Sequence, residues 1–428
     1  MSTSETASSD RHQWRVEFDH HSAEVAADPP KAYARLRASA PVAWTERHGG
    51  YWIVLRYHEA TKVLLDTAHF SNARRDDAGG PGSAQSIPKR PSIRGFPAEL
   101  DPPDSMPYRK ILNPLLSPAA AERMRAAVRD RVAWQIDQFI ESGECELVED
   151  LASPVPGSIT VDWLGLPHGT APKLSKTMHD IASASPDSAV WRDASRTLRE
   201  MYASLAVAIA ERQAEPRADV ISTIVQSRVD GELMTSDNAM ALVALLVAAG
   251  VVTTTSLTSQ ALVWLSEHRD DHQRLTSDEG YLRTATEEFL RVFSPAQALA
   301  RTLNGDTELA GCRMHDADRV LVSFGSANRD GTAFENPDTV ILDRSPNKHL
   351  AFGLGVHRCV GASLARVIFE ESVRAVLTRM PDFTVDTRKL VPYASQGLHS
   401  GWRRVPAAFT PGPRSGAEDN PAAFRVTI

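Results

Sequence analysis

The sequence lacks an apolar segment long enough to cross a membrane. Its longest apolar run, residues 239–252, falls short of the roughly 20 residues that a transmembrane helix needs, so we interpret it as part of a buried core helix. Residues 1–10 are polar and rich in Ser and Thr, without the basic start and apolar block of a secretory signal. These absences predict a cytoplasmic protein with no membrane partner.

Cysteine is scarce, and the chain has no net positive charge. The three cysteines are odd in number and far apart, which argues against a disulfide framework or zinc site and fits a reducing compartment. The net charge of −7 gives no general attraction for phosphate backbones, and the sequence has no Lys/Arg-rich block with interleaved aromatic residues. We therefore expect no nucleic-acid partner.

The sequence also lacks an internal repeat and a linker between compositionally different halves. Helix-period segments continue almost to the C-terminus, as in one large domain. We predict a single domain over residues 13–412, with a disordered tail at 1–12 and a C-terminal tail at 413–428.

Apolar periodicity predicts a mainly α fold with a minor β region. Helical patterns cover 119–142 and 189–213, and segment 239–264 is apolar on nearly every face, so this helix should lie at the centre. Short strand-like pieces alternate with turns between 299 and 323 and predict a small sheet. Residues 74–104 are rich in Pro and Gly and lack periodicity, which predicts a long loop that covers a substrate.

The most informative segment reads Phe-Gly-Leu-Gly-Val-His-Arg-Cys-Val-Gly and carries Cys359. Apolar residues follow Cys359 at helical spacing, so the cysteine should directly precede a helix N-terminus, which favours the thiolate form. Gly353 and Gly355 allow a tight turn and a close approach to a flat ligand. The alternative for a lone cysteine is an inert buried thiol.

The pattern Phe-Gly-x-Gly-x-His-x-Cys-x-Gly resembles the haem-binding loop of the cytochromes P-450. This resemblance implies the P-450 fold, a large helical bundle around haem with small β-sheets. It also implies haem b as the cofactor, with the Cys359 thiolate as the iron ligand and Phe352 and Gly353 beside the haem. In the family the thiolate pushes electron density toward the opposite ligand and so favours O–O cleavage.

Further short motifs occur in the order that the family shows. Glu288 and Arg291 match its Glu-x-x-Arg helix motif, and Arg344 matches the arginine that this pair binds in the family. By itself such a pair is more often a solvated surface salt bridge. Segment 327–330, Ala-Asn-Arg-Asp, is typical of bacterial members.

The resemblance also assigns partners to the two haem propionates. Arg109, Arg301 and His357 match positions that supply cationic groups, and arginine suits the geometry of a carboxylate. Each could instead be an ordinary surface charge. Ser105 stands where the family commonly has a histidine, so we expect one propionate contact to be weaker or mediated by water.

The central helix carries a segment, Ala-Gly-Val-Val-Thr-Thr, that resembles the oxygen-site motif of the family. Gly250 leaves room beside the iron, and Thr253, with Thr254 as a second candidate, would help to deliver protons. The alternative is that these threonines lie in the protein core and donate hydrogen bonds to carbonyl groups of the preceding helical turn. Val252 replaces the usual acidic residue and cannot relay a proton.

By family register the substrate pocket is mostly small and apolar, with two amides, which suits a neutral, fairly bulky ligand. Besides the loop at 74–104 and Val252, its predicted lining comprises Ala248, Ala249, Ala296, Gln297, Ala298, Gln396 and Leu398.

The sequence has no dinucleotide-binding motif and no cysteine cluster for an iron–sulfur centre. Electrons should therefore come from separate proteins, which the family resemblance implies are a ferredoxin and a ferredoxin reductase. Arg123, Arg125, Arg129 and Arg358 could form a basic docking patch, although a solvated helix face explains them equally well.

The resemblance implies a dioxygen-activating oxidoreductase that tailors a secondary metabolite. Family members in which another residue replaces this acid include enzymes that couple aromatic rings or cyclic dipeptides, so Val252 suggests by resemblance a C–C or C–N coupling of a tryptophan-containing cyclic dipeptide. The alternatives are hydroxylation of an apolar small molecule, a peroxide-driven oxygenase, and a non-enzymatic haem gas sensor.

Overall fold

A computed structural model describes residues 11–186 and 188–424. Most of the predicted N-terminal tail, residues 1–10, lies outside the described residues, as do residues 425–428 of the predicted C-terminal tail. The described residue Arg11 binds Asp318 and covers the ring of Trp44, with its guanidinium carbon 4.1 Å from the ring centroid.

Helices make up most of the described chain, which confirms the mainly α fold with small sheets. The α-helices are α1 (Ala23–Ala27), α2 (Pro29–Ser39), α3 (Tyr57–Leu65), α4 (Ser105–Leu115), α5 (Pro118–Asp137), α6 (Pro154–Leu164), α7 (Ala171–Ser183), α8 (Ala189–Ala214), α9 (Val220–Gln226), α10 (Ser236–Glu267), α11 (His272–Ser277), α12 (Glu279–Phe293), α13 (Phe324–Ala327) and α14 (Ala362–Arg379). A π-helical turn covers Val148–Ala152.

The strands are short and fall into several small sheets. They are β1 (Val42–Thr45), β2 (Tyr51–Val54), β3 (Phe70–Ser71), β4 (Glu144–Glu146), β5 (Arg228–Val229), β6 (Glu232–Leu233), β7 (Ala298–Leu303), β8 (Thr307–Leu309), β9 (Cys312–Met314), β10 (Arg319–Ser323), β11 (Thr384–Val385), β12 (Val391–Pro392), β13 (Trp402–Arg404) and β14 (Pro406–Ala408). The largest sheet has the order β1-β2-β10-β7-β3, with β2 and β10 parallel and the other neighbours antiparallel.

Helix α10 is the centre of the helical body. It contacts α6, α7, α8, α9, α12 and α14, so it needs apolar residues on all sides, as its sequence pattern predicts. Its uninterrupted apolar run is short, but the whole helix is long and apolar enough to span a membrane by length and composition alone, which corrects the expectation from the sequence. Within its most apolar window, 67% is buried inside the protein. We therefore interpret it as a core helix.

The segment predicted as a substrate-covering loop has no helix or strand between β3 and α4. The Glu99 side chain connects several parts of this loop. Its carboxylate binds Arg74 at 2.7 Å and accepts hydrogen bonds from the backbone N–H groups of Ala84 and Gly95, both at 2.9 Å. The backbone N–H of Phe96 donates to the carbonyl of Ala241 at 3.2 Å. The loop thus packs on the first half of α10.

The described part of the predicted C-terminal tail packs on the helical body. The carboxylate of Asp419 lies 2.7 Å from Arg131 of α5 and 2.8 Å from the ring of His168. Phe424 is only 2% exposed. The last described turn therefore contributes to the core.

Candidate active site

Two glycines shape the loop that carries Cys359. Gly353 and Gly355 have φ values of +67° and +68°, a left-handed conformation that favours glycine. The backbone N–H of Cys359 donates to the carbonyl of Phe352 at 2.8 Å, which closes the loop just before α14. Cys359 lies three residues before the first residue of that helix, close to the place that the sequence predicts.

Cys359 is exposed, whereas Cys145 and Cys312 are partly or fully buried. Burial nevertheless raises the pKa of the Cys359 thiol, while a hydrogen bond from the backbone of Gly361 and the charges of Arg358 and Arg109 oppose the rise. A thiol can be exposed and still have its pKa raised by burial when its sulfur borders a space that the protein encloses. Burial also raises the pKa of Cys145 and that of Cys312, the latter to about 12. Cys359 is thus the one cysteine that opens onto such a space.

The middle of α10 has an open face of its own. Ala249 is exposed and Thr253, one turn later on the same face, is half-buried, although Val252 and Thr254 beside them are 5% and 4% exposed. The hydroxyl of Thr253 lies 3.4 Å from the Ala249 carbonyl, a long hydrogen bond that leaves it able to turn to another partner. The structure thus brings Ala249 and Thr253 together and turns Val252 and Thr254 into the core.

The sequence predicts that Gly250 leaves room beside the iron, but in the structure Gly250 faces Thr160 of α6. A Cβ atom at this position would lie 2.8 Å from the Thr160 hydroxyl oxygen of α6. The glycine therefore lets α6 approach α10 closely. This packing requirement is sufficient to explain Gly250.

The open face of α10 and the Cys359 loop adjoin the same large apolar cluster, and α10 contacts α14, the helix that follows Cys359. Ala248, half-buried beside Ala249, packs against the main apolar cluster, and so do Phe352 and Val360 on either side of Cys359. The guanidinium carbon of Arg366 lies 4.6 Å from the Phe352 ring centroid and covers it. An enclosed space between a thiol and a small-residue helix face fits a flat cofactor.

Cationic groups without a carboxylate partner lie around this space. Arg301 is 4% exposed, and among the described residues its side chain donates a hydrogen bond only to the Ala300 carbonyl and has no carboxylate within 4 Å. Burial lowers the pKa of Arg301 to about 10. Arg109 is half-buried, its side chain donates only to the Arg358 carbonyl, at 2.8 Å, among the residues that the structure describes, and burial also lowers its pKa. Both guanidinium groups fit an anionic ligand.

Two further polar atoms near these arginines are buried without a partner. His357 Nε2 makes no hydrogen bond and lies 3.6 Å from the Asp101 carboxylate, and the Ser105 hydroxyl has no hydrogen-bonding partner. Buried polar atoms in proteins are normally satisfied. Two carboxylates of a bound cofactor would satisfy both, so the residues present fit the propionates of haem.

The contacts predicted for Glu288, Arg291 and Arg344 are present. Arg291 donates from two nitrogens to the Glu288 carboxylate, each at 2.8 Å, and the Arg344 Nε atom lies 3.0 Å from one oxygen of the same group. Arg291 also donates to the carbonyl of Asn328, in the Ala-Asn-Arg-Asp segment, at 2.8 Å. These charges are buried and hold together the segment that leads to Cys359.

Neither of the amides predicted for the substrate pocket is available to a ligand. Gln297 is 5% exposed and donates to the Ser294 carbonyl at 2.7 Å, and Gln396 is 8% exposed and donates to the Ala26 carbonyl at 2.7 Å. Both side chains satisfy backbone groups where regular structure ends. The prediction that they line the pocket is therefore wrong for their amide groups.

The small residues around these amides divide into two sets. Ala248, Ala249, Ala296 and Leu398 are half-buried or exposed, whereas Ala298 is fully buried in β7. The described wall is therefore more apolar than the sequence predicts. Sequence reasoning also missed His399, which follows Leu398 directly and could have been found by extending the same turn by one residue.

Two adjacent histidines join the covering loop to this turn. The Nε2 atoms of His20 and His21 each lie 2.9 Å from the carbonyl oxygen of Ile87 in the loop, and His21 Nδ1 lies 2.7 Å from the Ser395 hydroxyl. The two rings are 4.0 Å apart between centroids. We call this pair the histidine clasp.

The predicted basic patch is largely neutralised. Arg125 binds Glu370 and Glu371, both at 2.8 Å, and Arg129 binds Glu371 at 2.8 Å. These arginines join α5 to α14 instead of presenting free positive charge. The prediction of a docking patch that includes them is therefore not supported by their contacts.

Comparisons with known proteins show which family this chain resembles. A family model described as "Cytochrome P450" matches residues 187–389. A steroid C26-monooxygenase of Mycolicibacterium smegmatis is 33% identical over 334 residues, which cover 75% of this chain and 82% of the relative.

Two solved structures extend the likeness to the whole fold. The cytochrome P450 PksS of the Bacillus subtilis 168 bacillaene polyketide synthase is 25% identical with a TM-score of 0.81, and the match covers 92% of this chain and all of that one. CYP109E1 from Bacillus megaterium in complex with testosterone is 26% identical with a TM-score of 0.77, and the match covers 90% of this chain and 99% of that one. The chain therefore belongs to the cytochrome P450 family, whose members are oxidoreductases that use haem b with a cysteine thiolate as axial ligand.

Proposed function

We propose that this chain is a monooxygenase whose Cys359 thiolate is the axial ligand of haem b. The observation that carries the proposal is the exposed sulfur of Cys359 beside an enclosed space, together with buried Arg301 and half-buried Arg109, which have no carboxylate partner among the described residues. Arg109, Arg301 and His357 would hold the propionates, with Phe352 and Gly353 beside the ring. When bound, the haem supplies reductive activation of dioxygen.

Replacement of the proposed ligand tests this assignment. Cys359→Ala should abolish the thiolate-type absorption band of the reduced carbonyl complex, because no other described cysteine opens onto the site. Cys312→Ala is the matched control and should leave the band unchanged. A thiolate-type band in purified Cys359→Ala protein would refute the assignment.

The residues of α10 would handle protons without a neighbouring acid. Thr253 presents its hydroxyl on the open face, where it can accept a proton from water and donate one toward the cavity. Val252 can do neither, and Thr254 is buried. We therefore assign proton delivery to Thr253 and water within the cavity.

We propose that the substrate is a neutral, mostly apolar small molecule of roughly steroid size and that the reaction is hydroxylation in secondary-metabolite tailoring. The support is a wall of small apolar residues whose nearby amides are both occupied. Relatives named for a steroid monooxygenase and a polyketide synthase P450 are consistent with this class. A ligand screen that follows haem absorption should give shifts with neutral polycyclic compounds, and shifts with fatty acids or other anions only would contradict the proposal.

The second candidate reaction is oxidative C–C or C–N coupling, such as that of a tryptophan-containing cyclic dipeptide. The observation that favours it is Val252 in place of the acid. Hydroxylation places one atom of dioxygen in the product, whereas coupling converts both atoms to water and joins two substrate molecules. Mass spectrometry of product formed under ¹⁸O₂ therefore distinguishes them: one heavy oxygen supports hydroxylation, and a dimer without label supports coupling.

We propose that the protein works in the cytoplasm with a separate ferredoxin and ferredoxin reductase. Family members of this type use redox partners and small-molecule substrates. Turnover should require NAD(P)H, a ferredoxin and its reductase. Turnover with hydrogen peroxide alone would indicate a peroxide-driven oxygenase, and ligand binding without turnover under either condition would indicate a gas sensor.

A further inference from the structure

Glu287 of α12 and Arg366 of α14 form an ion pair next to the loop that carries Cys359. Arg366 donates from two nitrogens to the two carboxylate oxygens of Glu287, at 2.6 and 2.7 Å. Both side chains are half-buried, so water screens their charges only in part. A two-point contact of this kind fixes the position of both charges.

His349 holds the Glu287 carboxylate from a second direction. His349 Nδ1 accepts the backbone N–H of Ala351 at 3.2 Å, which leaves Nε2 to donate to Glu287 at 3.0 Å. Burial raises the pKa of Glu287, but the hydrogen bonds from Arg366 and His349 outweigh it and lower the pKa to about 2. The carboxylate is therefore negatively charged near pH 7.

Arg366 connects this ion pair to the two segments that flank Cys359. Its guanidinium carbon lies 4.6 Å from the Phe352 ring centroid, and its Nη1 atom donates to the Ala362 carbonyl at 3.2 Å. The Phe352 carbonyl accepts the backbone N–H of Cys359, and Ala362 is the first residue of α14. The charge of Arg366 also opposes the rise that burial causes in the pKa of the Cys359 thiol, so it acts at the sulfur.

A charge at this place affects how easily a bound haem is reduced. In the oxidised state the charges of the iron, the porphyrin ring and the thiolate sum to zero. Reduction adds one electron from the ferredoxin and no proton, so the unit becomes negative. A nearby cation stabilises the added charge and raises the reduction potential, whereas a nearby anion lowers it, and the closer charge has the larger effect.

We propose that Arg366 and Glu287 set the reduction potential of the bound haem: the guanidinium group raises it, and the carboxylate offsets part of the rise. The inference rests on the proposed function and assigns residues that tune its electron-transfer step. Arg366 has the larger effect because it lies against Phe352, whereas Glu287 reaches the loop through Arg366 and His349. Both are positioning residues, since they act through the loop that holds the iron ligand.

Reduction potentials of the haem-loaded proteins test the proposal. They are measured without substrate, by titration with dithionite and redox mediators while haem absorption is followed. Arg366→Gln should lower the potential, with an equilibrium constant for reduction about fivefold smaller than that of wild type. Glu287→Gln should raise the potential by a smaller amount, because the amide keeps the shape of the side chain but not its negative charge.

Arg366→Lys separates the effect of charge from that of packing. Lysine keeps the positive charge but loses the two parallel hydrogen bonds and the flat contact with Phe352. Its equilibrium constant for reduction should therefore stay within about twofold of wild type. Arg35→Gln is the matched control: Arg35 pairs with Glu24 at 2.7 Å in an exposed contact between α2 and α1, where solvent and salt screen the charge, so the potential should not change.

The signs of the shifts decide the outcome. An unchanged or higher potential in Arg366→Gln, an unchanged or lower potential in Glu287→Gln, or a potential in Arg366→Lys as low as in Arg366→Gln overturns the proposal, because the pair would then only join α12 to α14. If Arg366→Gln does not retain haem, the other two variants decide by the same signs. The reduced carbonyl spectrum is recorded for every protein, and a wild type without the thiolate-type band would instead refute the proposed function.

Discussion

At the scale of single residues, the site is defined by polar groups that the chain leaves unsatisfied. A buried arginine without a carboxylate partner destabilises the folded chain, because no opposite charge offsets the desolvation of its guanidinium group. Arg301 is such a group, and a bound propionate would offset that cost. The cofactor and the fold therefore stabilise one another.

Replacement of Arg301 by Met should separate these two effects. The variant should retain several-fold less haem after gel filtration, while the apoprotein resists urea as well as wild type or better, because an unpaired charge has been removed. Haem content by absorbance and urea unfolding of the apoprotein measure the two effects. Arg319→Met is the matched control: that arginine is also buried, but it donates to the Ala84 carbonyl at 2.6 Å and the Ser86 carbonyl at 3.0 Å, so its loss should destabilise the apoprotein.

Single residues also show what sequence could and could not predict. Cys359 and the Glu288, Arg291 and Arg344 contacts were predictable because a motif states both residue types and spacing. The direction of the Gln297 side chain was not, because it depends on an unsatisfied carbonyl at the end of α12. The lack of an ion pair at Arg301 was likewise invisible, since only three-dimensional packing shows that no described carboxylate lies within 4 Å of the guanidinium group and that Asp101 acts on it from a greater distance.

At the scale of elements, the close approach of α6 to α10 depends on one missing side chain. Gly250→Ala should destabilise the protein by about 1–2 kcal/mol, since overpacking against Thr160 outweighs the gain in helix propensity. Thr160→Ala in the same chain should recover most of this loss, because the clashing hydroxyl is gone.

Urea unfolding of both single variants and the double variant measures the coupling between these two positions. Gly169→Ala is a control, since a Cβ there meets nothing within 4 Å. Strictly additive effects of the two substitutions would contradict the proposed contact.

The covering loop is a second element with a single organising residue. Glu99→Gln should weaken its pair with Arg74, so proteases should cut within residues 74–98 several-fold faster and neutral ligands should bind more weakly. The reduced carbonyl spectrum should remain intact, because Glu99 does not contact the proposed haem site. Limited proteolysis with mass mapping measures the change, with the exposed Glu215→Gln as control. Equal cleavage in both variants would refute the organising role.

Helices differed in how well their sequences predicted them. Segments 189–213 and 239–264 correspond closely to α8 and α10, because long periodic patterns survive any tertiary context. The pattern over 119–142 overran α5, which ends at Asp137. Helix α6 was missed because Pro154 and Pro156 suggest a break, although proline is well tolerated in the first turn of a helix.

At the scale of the whole molecule, buried neutral histidines make stability depend on pH. Burial lowers the pKa values of His20, His21, His179 and His399 in the folded chain. The unfolded chain binds protons below about pH 6.5, where these folded groups still do not, so acid favours unfolding. Stability should therefore fall as the pH drops through 6.5, because the unfolded chain takes up protons at these histidines before the folded chain does.

The histidine clasp should account for part of this fall. His20 and His21 face each other and His48, and Asp19 and Arg90 act on the same rings. Melting temperatures of the haem-loaded protein between pH 7.5 and 5.5 should therefore fall less steeply in His20→Gln than in wild type. His58→Gln, at an exposed position, should keep the wild-type slope. An unchanged slope in His20→Gln would show that the clasp does not titrate.

The clasp also bears on the order in which the molecule is assembled. It joins His21, near the start of the chain, to Ile87 in the covering loop and to Ser395, near the end. Ser395 is synthesised 374 positions after His21, so the clasp cannot close while the covering loop and α10 are being made. The wall of the enclosed space is therefore completed by one of its later-synthesised segments, and the cofactor becomes enclosed after the central helix already exists.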